Sequence, residues 1–111
     1  MKSLVYIVTE SWWPPDKSME VGKTYLEAMN KFPEDRSLSK TTDQSATWAE
    51  KDGFRSIAIY TVKPGKIKEA MDQHMNRLLL LGNVEGYRFQ VNVAYTVVES
   101  MPFVGLDAPP L

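Results

Sequence analysis

From Tyr87 to Val98 the chain alternates without a break. Tyr87, Phe89, Val91, Val93, Tyr95 and Val97 fall on one side; Arg88, Gln90, Asn92, Ala94, Thr96 and Val98 fall on the other. A side-chain period of two means a long β-strand with one apolar and one mixed face. This strand anchors the reading of everything before it.

Two earlier segments are also strand-like, but apolar on both faces. In Leu4–Thr9 the alternating sets are Leu4, Tyr6, Val8 and Val5, Ile7. In Phe54–Val62, Ile57 and Ile59 share one face, and Phe54, Ala58, Tyr60 and Val62 share the other. Strands of this kind are covered on both sides. The stretch from Lys40 to Lys51 is Thr/Ser-rich, with Trp48 its only large apolar residue. It reads as one polar edge strand, joined to the next by an Asp52-Gly53 hairpin turn.

Between the strands lie two helical patterns. Met19, Gly22, Leu26, Met29 and Phe32 recur at three- and four-residue steps across Ser18–Phe32, with Asp16 or Ser18 as N-cap and Pro33 as the stop. Ile67–Leu81 is the better-defined helix and is closed by Gly82-Asn83. Trp12-Trp13-Pro14-Pro15 breaks regular structure where the first strand leaves the sheet. The tail from Ser100 to Leu111 carries three prolines together with Met101, Phe103, Val104 and Leu106. It is too proline-rich for an ordinary element, and its apolar residues suggest docking rather than solvation.

The order strand–helix–strand–strand–helix–strand is a split βαβ unit duplicated, the ferredoxin-like α+β arrangement. Residues 1–99 form that domain, and residues 100–111 form the tail. The sheet is antiparallel, both helices lie on one face, and the first and third strands are central. One apolar set of each central strand then faces away from the helices. Exposed, these residues would form a patch that monomers seldom tolerate. The simplest cover is a second copy, sheet against sheet, in a homodimer or a higher homo-oligomer.

Composition narrows the function. The net charge of −1 lacks the basic footprint of a nucleic-acid binder. With no cysteine, disulfides, cysteine-based metal centres and thiol nucleophiles are excluded. One histidine and no clustered carboxylates argue against a transition-metal site, and Lys63-Pro64-Gly65-Lys66 is a turn rather than a phosphate loop. No segment approaches a membrane span, and the N-terminal apolar run is too short for a signal peptide. The expected protein is cytoplasmic, without a cofactor and without a nucleic-acid or membrane partner.

The element order, the length and the two-faced central strands resemble the dimeric α/β-barrel superfamily of ferredoxin-like proteins. That superfamily includes antibiotic-biosynthesis-type monooxygenases, muconolactone isomerases and haem-degrading monooxygenases. The resemblance implies a small-molecule-binding protein, with cofactor-independent oxygenase, isomerase or cyclase chemistry on an apolar or aromatic substrate. The alternative is a non-catalytic ligand sensor or structural dimeric module.

His74 is the only histidine and falls within the apolar stripe Ile67, Ala70, Met71, Met75, Leu78, Leu81, facing the sheet. Several monooxygenases of the superfamily carry a second-helix histidine that points into the pocket. By that resemblance His74 is the catalytic candidate, an acid–base or orienting group; the alternative is a structural imidazole with a backbone or tyrosine partner. Tyr6, Tyr60 and Trp12 are expected to shape the pocket, and Arg88 to bind an acidic group from the mixed face of the last strand. Each has an ordinary alternative in strand or interface packing. The haem-degrading members pair their histidine with a first-strand asparagine and a third-strand tryptophan. Here the first strand has no asparagine, and Trp48 precedes the Asp52-Gly53 turn. Glu10 and Asp43 are the acids that fall on strands, and no spacing pairs them.

Overall fold

The computed structural model describes residues 5–41 and 45–107. Five strands, β1 (Val5–Trp13), β2 (Ser39–Thr41), β3 (Ala46–Glu50), β4 (Gly53–Val62) and β5 (Arg88–Tyr95), form one sheet. Helix α1 (Ser18–Lys31) follows β1, and helix α2 (Ile67–Leu81) follows β4. A one-turn helix α3 (Val97–Ser100) leads into a 3₁₀ turn at Met101–Val104. All pairings are antiparallel in the order β2–β4–β1–β5, with β3 also on β4. The fold class is the expected α+β ferredoxin-like one, with β1 and β4 central.

The register assigns every strand side chain to a layer. Opposite one another stand Val5 and Val62, Ile7 and Tyr60, Thr9 and Ala58, Ser11 and Ser56, Trp13 and Phe54. This set faces the helices, because Ile7 and Val62 pack with Ala70 of α2, and Trp13 packs with Val21 of α1 and Leu78 of α2. The opposite set, Tyr6, Val8, Ile57 and Ile59 among it, lies on the helix-free face and is half-buried in the single chain.

Several boundaries differ from expectation. β1 runs past Thr9 to Trp13, so the break falls at Pro14 and both tryptophans are strand residues; Leu4 lies outside the described residues. The single edge strand is two short ones. The five-residue step from Thr41 to Ala46 opposes the three-residue step from Tyr60 to Ile57, so the edge carries two extra residues against β4. Residues 42–44, Asp43 included, lie outside the described residues. The alternation at the chain's end outlasts the strand. β5 stops at Tyr95 because the Thr96 side chain accepts the Glu99 N–H at 3.1 Å and starts α3, so Val97 and Val98 are helical. The tail forms a 3₁₀ turn despite its prolines, with Phe103 edge-on to Tyr95 at 5.1 Å; residues 108–111 are not among those described. Neither Asp16 nor Ser18 caps α1. Lys17 is the N-cap without a side-chain bond, and Ser18 Oγ donates to the Pro15 carbonyl. α2 has the expected bounds.

Gly53 closes the β3–β4 hairpin with φ +150°, and a Cβ there would sit 2.2 Å from the Trp13 carbonyl oxygen. Gly53→Ala is therefore expected to cost on the order of 3 kcal/mol from strain and backbone collision. Urea unfolding would check this, a change below about 1 kcal/mol being contrary to the geometry.

Candidate functional site

The helix-facing side of the sheet is large at both ends and small in the middle. Ile7 and Val62 fill one end; Trp13, Phe54 and Tyr87 stack at the other, with Trp13 centroids 6.0 Å from each of its neighbours. Between them, Thr9, Ser11, Ser56 and Ala58 are too small to reach the helices. Helix α1 brings the small Gly22 and Ala28 to the same space, along with Val21, Tyr25 and Met29. The buried residues accordingly divide into two clusters, one around Ile7, Val62 and Ala70 and one around Val21, Leu78, Leu81 and Val84. A cavity of about 380 Å³ lies over this small-residue floor.

Most of its wall is apolar, from Val21, Ala28, Ala58, Leu78 and Leu81. Its polar groups include Tyr60 on β4, His74 and Arg77 on α2, and the hydroxyls of Thr9, Ser11, Ser56, Tyr25 and Tyr87. The ring centroids of His74 and Tyr60 are 4.1 Å apart, and His74 Nε2 is 3.3 Å from Ser39 Oγ. His74 is 3% exposed. Burial, with the Arg77 cation nearby, pushes its pKa down to about 4, so the imidazole is neutral at physiological pH. Burial raises the Tyr60 phenol; Arg77 and a hydrogen bond with the Thr9 side chain act the other way. Burial likewise raises the Tyr87 phenol, whose hydroxyl donates to Ser11 Oγ at 2.5 Å beneath the cavity.

His74 and Tyr60 are brought together as expected candidates, and Tyr25 also reaches the cavity. Tyr6, Trp12 and Arg88 are not. They lie on the helix-free face, the wrong strand parity for a site under α2. Tyr6 stands beside Val8 on β1. Trp12 lies 5.1 Å from the Arg55 guanidinium, which bonds Glu10 Oε2 at 2.5 Å and approaches Glu50 at 3.8 Å. Trp12 and Arg88 meet only at a separate depression of about 300 Å³ at the sheet's end. The tryptophan of the cavity is Trp13, whose Nε1 donates to Ser18 Oγ at 3.2 Å.

Arg77 is the residue sequence reasoning missed. It stands three residues after His74, on the same helix face, and is 8% exposed. The spacing was a usable signal, but a charge inside an apolar stripe is ordinarily assigned to solvent. Among the described residues no three His, Cys, Asp or Glu side chains gather to hold a metal ion. No helix among them is long and apolar enough to cross a membrane.

No family model and no curated protein matches this chain. Among solved structures it is similar to a dimeric ferredoxin-like protein from an uncultured marine organism, 15% identical, covering 86% of this chain and 97% of that one, with a TM-score of 0.54. The fold is ferredoxin-like. The chain also aligns with a "putative monooxygenase" from Shewanella loihica PV-4, 20% identical over 87% of this chain and 97% of that one, with a TM-score of 0.46. At these identities the likeness concerns the path of the backbone.

Proposed function

We propose that this chain binds a small, mostly apolar molecule between its helices and its sheet. The observation that carries the reading is the 380 Å³ cavity with His74, Tyr60 and Arg77 in its wall. Ligand sites of about 300–1,000 Å³ are typically apolar with a few convergent polar groups. His74 acts here as a neutral hydrogen-bonding and orienting group. An imidazole with a pKa of about 4 is a weak base at pH 7, and general bases work best with a pKa near the working pH.

Gly22 supplies the test. It lines the cavity from the middle of α1, and a Cβ placed on it meets nothing within 4 Å. Gly22→Leu is expected to extend into the cavity while stabilising the unliganded helix by about 1 kcal/mol, since glycine is a poor helix former. Thermal-shift screening with neutral and acidic one- and two-ring aromatic compounds should find binders to the wild type that the variant does not bind. Absence of any binder, or binding unchanged by Gly22→Leu, would remove the reading.

We propose further that a second copy covers the helix-free face. Tyr6, Val8, Ile57 and Ile59 form a half-exposed apolar strip there, with the Arg55–Glu10 pair beside it. The similar protein of the uncultured marine organism is dimeric, which supports the same assembly here.

A further inference from the structure

We infer that the ligand carries one anionic oxygen group, a carboxylate or an ionised phenol, and that Arg77 receives it. This rests on the cavity being a ligand site, as proposed above. Arg77 Nε donates to the Phe32 carbonyl at 2.7 Å and so fixes the side chain against the end of α1. That bond uses one of five guanidinium N–H groups. Nη2 is buried and has no hydrogen-bond partner among the described residues. None of the ion pairs among those residues includes Arg77. A permanent cation thus borders the cavity, and among the described residues no carboxylate is ion-paired with it. Buried charges are costly unless paired, and a guanidinium is shaped to bind a planar pair of oxygens.

The neighbours narrow the class of anion. His74 is neutral, and Tyr60 keeps its proton because burial raises its pKa. Both can hydrogen-bond to an oxygen, but neither adds positive charge. Lone compensation by Arg77 suits a monoanion better than a phosphate dianion, which calls for further cations or a cradle of backbone N–H groups. The wall of Val21, Ala28, Leu78 and Leu81 suits a hydrocarbon body attached to that group. Arg77 therefore discriminates ligands by charge, whereas the floor of Thr9, Ser11, Ser56 and Ala58 discriminates them by size.

The test compares isosteres that differ in charge, 2-naphthoate and 2-naphthamide, by calorimetric titration of the full chain at pH 7. The acid is expected to bind at least about tenfold tighter than the amide, as a charge-assisted hydrogen bond to a buried guanidinium requires. Arg77→Met should reduce that preference to within about twofold, and Arg77→Lys should restore part of it. Equal binding of acid and amide to the wild type would overturn the inference, as would a preference that survives Arg77→Met. Loss of the Phe32 contact can unfold Arg77→Met, so a second readout uses the wild type alone. Bound naphthoate should counter the Arg77 cation and raise the His74 titration midpoint seen by NMR, and naphthamide should leave it in place. A midpoint unmoved by bound naphthoate would also overturn the inference. If the amide binds as well as the acid and Gly22→Leu blocks both, the cavity stands as a ligand site and the anion preference falls. If neither compound binds, both readings fall.

Discussion

Lowering the pH from 7 to 4 is expected to destabilise the fold by about 3 kcal/mol through His74 alone. Its pKa in the folded chain is held at about 4 by burial and by Arg77, against an ordinary value of 6.5. The unfolded chain takes up a proton as the pH falls through 6.5, and the folded chain does so only near 4. Across that window the unfolded state binds more protons, so stability is fully present above pH 6.5 and is lost as the pH falls toward 4. At about 1.4 kcal/mol per pH unit the loss reaches about 3 kcal/mol. Carboxylates also titrate there, so the measurement is a difference. Urea unfolding of the wild type and of His74→Phe should be compared from pH 7 to pH 4. The phenyl ring keeps the contact with Tyr60 and lacks the titration, so the stability gap between the two proteins should shift by about 3 kcal/mol in the variant's favour. A gap that stays constant with pH would mean that His74 is not held neutral by its surroundings.

The other large effect concerns assembly. Ile57 and Ile59 sit on β4 with their side chains on the helix-free face, opposite Glu10 and Val8 of β1. Burying an aliphatic side chain is worth about 1.5–3 kcal/mol, and an unpaired charge in its place costs more. Ile59→Lys should therefore weaken a sheet-to-sheet dimer at least about a hundredfold, or about 3 kcal/mol. Light scattering should find twice the 12.6 kDa chain mass for the wild type and the single mass for the variant at the same concentration. The variant should keep its monomeric fold, because α1 and α2 pack on the opposite face of the sheet. Wild-type particles of 12.6 kDa throughout a dilution series would refute the dimer.

The fold was legible because its determinants are local. Period two marks β5, short β-branched and aromatic runs apolar on both faces mark β1 and β4, and a step of three to four residues marks α2 to the residue. Where an element stopped short of its expected end, a competing local bond ended a pattern that composition would have continued. Thr96 capping α3 inside an alternating run is the clearest case. The edge strand differed for another reason: its register against β4 contains two extra residues, which pairing reveals and polarity does not.

The site was legible only in part. His74 and Tyr60 were expected near each other, one from a helical stripe and one from a strand face, and the fold joins them at 4.1 Å. Trp12 was expected where Trp13 stands, a displacement of one residue that in a strand is a change of face. Tyr6 and Arg88 share the parity of Trp12 and lie with it on the far side. Thr9, Ser11 and Ser56 drew no attention because small polar residues carry no apolar signal, yet their size makes the space.

What the sequence determined by itself is the alternation that gives each strand two faces, and with it the apolar strip that the helices cannot reach. Periodicity is a property of neighbours along the chain, so no tertiary information is needed to read it. Only the tertiary structure decided that four small side chains from two strands lie opposite one another under α2, and that Arg77 is drawn into the same space with no ion-pair partner among the described residues. Cavities and unbalanced charges are made by residues distant in sequence, and the energy that defines them exists only once the layers are packed.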